Sequence, residues 1–129
     1  MAKALSVLVV DDEEDIRELV SEILEMAGHR VVTAPSGPRA LELHSSERFQ
    51  VLLCDLTMQG MSGWEVVSAV RQRDAAIGIA LLSGWEATLP AERLEAAGID
   101  AVLGKPFQVD RMLQVVESLG RRDPGTAAD

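Results

Sequence analysis

Four apolar runs, Ser6–Val10, Gln50–Cys54, Ile77–Leu82 and Ala101–Leu103, lead into polar residues able to bind a cation or a phosphoryl group: Asp11 and Asp12, Asp55, Ser83 and Lys105. Carboxylates coordinate hard cations, whereas a hydroxyl and an ammonium donate hydrogen bonds to anionic oxygens. If the runs are neighbouring parallel strands, all of these groups meet at one sheet edge, because ligands of open α/β sheets collect at the carboxyl ends of the strands. Each residue alone also has a plainer reading. An acid after a strand caps the next helix, Asp55 suits a turn, Ser83 a cap and Lys105 a solvated surface. Only the four positions together read as one site.

The elements that would position them follow from periodicity. Ile16, Leu19, Val20, Ile23, Leu24 and Ala27 form one helical stripe, and Gly28 stops it. Arg30–Ala34 reads as a short strand. Ser36 and Pro38 open a second helix that runs to about His44. After the third run, Ser62 and Glu65 have the spacing of a capping box for a helix carrying Val66, Val67 and Val70. Thr88, Pro90 and Gly98 bracket a short helix around Leu94 and Ala97, and Val109, Met112, Leu113, Val116 and Leu119 mark a last helix ending at Gly120. Five βα repeats with short connections imply right-handed crossovers and a parallel sheet covered by helices on both faces. The expected fold is α/β, a flavodoxin-like (βα)5 doubly wound parallel sheet in strand order 2-1-3-4-5. That order sets strands one and three side by side, with Asp12 facing Asp55.

At 129 residues the chain is one domain's worth, expected as a domain over residues 1–120 and a flexible tail over 121–129. The net charge of −9 and an aromatic content of 3% exclude both a phosphate-backbone contact surface and a base-stacking platform, so no direct nucleic-acid binding is expected. No apolar stretch reaches the length of a membrane span and no signal peptide is evident, which predicts a cytoplasmic protein. Cys54, inside an apolar run, reads as a small buried hydrophobe, Met58 and Met61 as packing residues, and His29 and His44 as surface residues.

Asp11-Asp12 after the first strand, Asp55 with Met58 and Gly63 after the third, Ser83-Gly84 after the fourth and Lys105-Pro106-Phe107 after the fifth resemble, in order and place, a response-regulator receiver domain. The likeness to this phosphoacceptor module of two-component signalling covers residues 5 to 119. It implies that Asp55 is the phosphoacceptor, that Asp12, Asp55 and the Thr57 backbone carbonyl are direct metal ligands, and that Asp11 acts through water. It also implies a Lys105–Pro106 cis bond. Electrostatics points the same way: unit charges about 4 Å apart interact by about 4 kcal/mol at an effective dielectric near 20, so clustered carboxylates need a cation or protons. Oxygen donors without His or Cys indicate Mg²⁺. Lys105 and Ser83 would follow the charge that a phosphoryl group brings.

The chain departs from the family pattern at several positions. Val102 stands where many receivers have an aromatic residue, so a ring cannot relay the signal. Trp85, two residues past Ser83, becomes the candidate for excluding water and slowing hydrolysis of phospho-Asp55, or for anchoring a partner. Gln59 replaces the usual proline after Met58, and Ser62 a frequent acid.

The expected function is a phosphorylation-controlled switch that takes its phosphoryl group from a histidine kinase phosphohistidine and changes partner binding. It would catalyse only its own phosphorylation and dephosphorylation. The partners are a sensor histidine kinase or phosphotransfer protein and an unidentified output partner, with the chain a monomer or a phosphorylation-dependent dimer. Met1 just ahead of the first strand favours a free-standing regulator over a segment of a hybrid kinase. Two other classes are a phosphate-independent interaction module and a Mg²⁺-dependent aspartyl-phosphate phosphatase. The second usually wants an acid where Thr57 stands.

Overall fold

The structure is a computed structural model and describes residues 4–84 and 89–121. Among the described residues five strands and five helices alternate: β1 Ser6–Val10, α1 Glu14–Met26, β2 Arg30–Ala34, α2 Gly37–Ser46, β3 Val51–Asp55, α3 Gly63–Arg73, β4 Gly78–Ser83, α4 Ala91–Ala97, β5 Ala101–Gly104 and α5 Val109–Gly120. All strand pairs are parallel and the order is 2-1-3-4-5, as expected.

The strands β3 and β4, covered on both faces, bury every side chain, and successive residues feed opposite layers. Leu8, Val10, Leu52, Cys54, Ile79 and Leu81 pack beneath Ala40 and Leu43 of α2 and Val66, Val67 and Val70 of α3. Their chain neighbours Val7, Val9, Val51, Leu53, Ala80 and Leu82 pack on the other face against Val20 and Leu24 of α1 and Met112, Val115, Val116 and Leu119 of α5.

The local signals operate largely as read. Gly28, at φ +94°, takes the left-handed conformation that ends α1, and the Ser36 hydroxyl accepts from Arg39 N–H at 3.3 Å to cap α2. Leu19 and Ala27, expected on the buried stripe of α1, are exposed, and the core-facing row is centred on Val20 and Leu24. β3, β4 and β5 each end one residue past their apolar runs, so Asp55, Ser83 and Gly104 are the last residues of their strands.

Both histidines differ from expectation. His29 is buried because its Nδ1 accepts the Leu5 N–H at 3.1 Å, and His44 lies between α2 and α3 with Nε2 3.4 Å from Asp74 Oδ2. Trp85, Thr88 and residues 122–129 of the expected tail lie outside the described residues. Among the described residues, no helix is long and apolar enough to cross a membrane.

Candidate functional site

Register places the acids. Val10 of β1 is paired with Cys54 of β3, so the next residue of each strand path, Asp11 and Asp55, lies abreast at the carboxyl edge. One carboxylate oxygen from each of Asp11, Asp12 and Asp55 lies within 4.8 Å of the others. Asp11 is wholly buried, Asp55 is 5% exposed, and Asp12 faces solvent. The expected meeting of Asp12 and Asp55 is therefore present.

Asp11 is the most constrained of the three. Its N–H donates to the Ala34 carbonyl at 3.2 Å, its own carbonyl accepts from Arg17 Nη1 at 2.8 Å, Oδ1 accepts the Glu13 N–H at 2.9 Å and Oδ2 accepts from Lys105 Nζ at 3.1 Å. Asp12 is held more lightly, its Oδ2 accepting the Gln59 N–H at 3.4 Å.

Lys105 reaches the acids from the far end of the sheet order. Ser83 is in register with Gly104, and the Lys105 N–H donates to the Ser83 carbonyl at 3.0 Å. The Lys105–Pro106 bond is cis, as expected. Lys105 Nζ lies 3.3 Å from Asp55 Oδ1, in addition to its bond with Asp11, and 3.9 Å from Glu13 Oε1. Ser83, at the end of β4, is 3% exposed.

These neighbours set the electrostatics. Burial, helped by the charge of Asp11, raises the Asp55 pKa above the usual carboxylate value, against the opposing pull of Lys105 and the Thr57 N–H. Burial alone would lower the Lys105 pKa, but its bonds and proximity to Asp11 and Asp55 outweigh that and leave it raised. Burial, with the charges of Asp55 and Asp11, pushes the Cys54 thiol far up, consistent with a packing role. Three carboxylates, two of them buried, with the Lys105 ammonium against the buried pair leave the cluster net negative. Its oxygen donors fit a hard divalent cation such as Mg²⁺.

The loop after β3 shapes the floor of the site. The Thr57 N–H lies 3.4 Å from Asp55 Oδ1, Met58 is buried, and the Ser62 hydroxyl caps α3 by accepting the Glu65 N–H at 3.3 Å. Gly63 is required by close approach: a Cβ there would sit 2.3 Å from the Asp55 carbonyl oxygen. Val102 is partly buried in the α2–α3 layer, in register with Leu81. Sequence reasoning missed Arg17, the Glu13 N–H and the Gln59 N–H, which grip the acids through backbone atoms or by backbone donors. The only trace of Arg17 is its position one turn into the helix that follows the acids.

The model of the response regulator receiver domain matches residues 7–117. The chain is 34% identical over 98% of its length to the sensor histidine kinase AruS of Pseudomonas aeruginosa and 38% identical over 86% to the virulence sensor protein BvgS of Bordetella pertussis. It spans only 13% and 10% of those proteins. Among solved structures, the chemotaxis protein CheY4 of Vibrio cholerae superposes with a TM-score of 0.83 at 34% identity, over 91% of this chain and 99% of that one. The response regulator protein TrrA of Thermotoga maritima, solved in complex with Mg²⁺-BeF, gives 0.80 at 32% identity, over 89% of this chain and 98% of that one.

Proposed function

The chain belongs to the response-regulator receiver domain family of two-component signalling, and from that premise we propose that Asp55 is its phosphoacceptor, in a Mg²⁺-dependent transfer from a phosphohistidine of a sensor histidine kinase or phosphotransfer protein. A carboxylate oxygen of Asp55 attacks phosphorus, the O–P bond forms as the N–P bond of the donor breaks, and the imidazole leaves with the electron pair and takes up a proton. Later attack by water on phosphorus returns the carboxylate and releases inorganic phosphate, so both steps take place on the chain's own side chain. The receiver is assigned to residues 1–120, a span that contains the family match over residues 7–117.

The observation that carries this reading is the Asp11, Asp12 and Asp55 cluster with Lys105 Nζ against two of its members. Asp12, Asp55 and the Thr57 carbonyl would hold Mg²⁺, with Asp11 acting through water. When bound, the ion neutralises charge on the transferring group. Lys105 places a point charge where a phosphate oxygen arrives, and the Ser83 hydroxyl donates to another. The added charge draws Lys105 and Ser83 toward position 55. Lys105 and Ser83 are joined through backbone, so β4 and β5 move together and alter the surface offered to an output partner.

The test is intact mass after incubation with acetyl phosphate and Mg²⁺. The parent gains one phosphoryl group, whereas Asp55→Asn, or the parent in EDTA, gains none. Equal labelling of parent and Asp55→Asn would refute the assignment, and turnover of a small phosphate ester would favour a phosphatase.

A further inference from the structure

We propose that Arg17 is a positioning residue for the cation site, acting through the backbone of Asp11. The inference rests on the cluster being a cation site. Strand pairing of β1 ends at Val10, and only three residues separate that point from Glu14, where α1 begins. Within that span the chain must leave the sheet, turn into a helix and still aim Asp12 at Asp55.

The usual device for such a turn is missing. Glu13, at the N-cap position of α1, makes no side-chain cap bond. The turn is fixed instead at Asp11, where the Glu13 N–H holds the side chain and the Arg17 guanidinium holds the carbonyl at 2.8 Å. A charged donor on a carbonyl is among the stronger hydrogen bonds. This one sets the plane of the peptide that joins Asp11 to Asp12, and with it the direction of the Asp12 Cα–Cβ bond.

The rest of the site cannot substitute for it. Asp12 is exposed, and its Gln59 N–H contact is long at 3.4 Å. With Arg17 removed, the peptide is freer to rotate toward water and Asp12 spends less time beside Asp55. Cation affinity falls for lack of preorganisation rather than for lack of a ligand.

Charge alone predicts the reverse. Arg17 is a cation close to the acidic cluster, so a purely electrostatic role means that its loss leaves a more negative site and tighter Mg²⁺ binding. The two roles therefore differ in sign.

The experiment is calorimetric titration of the full chain with Mg²⁺ alone, for the parent, Arg17→Gln and Arg17→Lys, with thermal melts in EDTA alongside. Positioning predicts about tenfold weaker binding for Arg17→Gln, a melting temperature close to the parent's, and intermediate affinity for Arg17→Lys, which keeps the charge and one donor. Equal or tighter binding by Arg17→Gln overturns the proposal. If Arg17→Gln does not fold, Arg17→Lys decides by the same criterion. Failure of both to fold makes Arg17 a structural residue and also overturns it. A parent that binds no Mg²⁺ refutes the reading of the cluster itself, a result distinguishable from a parent that binds and a variant that matches it.

Discussion

The Lys105 ammonium stands 3.1 Å from a carboxylate oxygen of Asp11, a residue 94 positions earlier in the chain and wholly removed from solvent. The same ammonium is 3.3 Å from Asp55, so one cation is shared by two buried acids. Breaking a buried pair costs more than the pair itself contributes, because the remaining charge has no solvent to turn to.

Lys105→Met is accordingly expected to lose about 3 kcal/mol of folding stability at neutral pH in EDTA. Added Mg²⁺ should recover part of that loss, since the ion takes over neutralisation of the acids. Urea denaturation with and without Mg²⁺ measures both, and a variant as stable as the parent in EDTA would contradict the shared-cation picture.

Asp55 gives a pH dependence. Its folded-state pKa is raised above the ordinary value of 3.8, chiefly by burial. The folded state therefore holds this proton more tightly than the unfolded state does. The resulting contribution favours folding in full below the ordinary value and is lost as pH rises through the folded one. Asp55→Asn removes that loss. In EDTA, the variant should melt above the parent at neutral pH, with a difference that shrinks as pH falls toward the ordinary carboxylate value. A difference that grows on acidification would mean that Lys105 overcompensates burial.

Gly63 ties the acceptor to α3. Its missing side chain leaves room for the Asp55 carbonyl oxygen, 2.3 Å from where a Cβ would stand, and for Leu56 Cα at 2.8 Å. Gly63→Ala should cost about 2 kcal/mol of stability, as crowding of a packed region does, and slow phosphoryl uptake by displacing Asp55. Urea denaturation together with the labelling rate from acetyl phosphate checks both parts.

What the residues revealed in advance was the set of strand ends. Side-chain polarity changes sharply at Asp11, Asp55, Ser83 and Lys105, and parallel register carries those changes to one edge. Polarity does not mark where backbone pairing stops, which is why β3 and β4 run on to include Asp55 and Ser83 themselves. His29 is buried and His44 half-buried, and their polar partners, the Leu5 N–H and Asp74, are distant in sequence, so residue type cannot disclose them. Arg17 escaped notice for a related reason: it binds a carbonyl, and carbonyls leave no signature in a sequence.

The most direct test of the central claim locates the phosphoryl group chemically. The chain is treated with acetyl phosphate and Mg²⁺, the acyl phosphate is reduced with borohydride, and the peptides are sequenced by mass spectrometry. Homoserine at position 55, absent when EDTA replaces Mg²⁺, is the expected result. Homoserine at position 11 or 12, or at position 55 irrespective of the metal, would contradict the account.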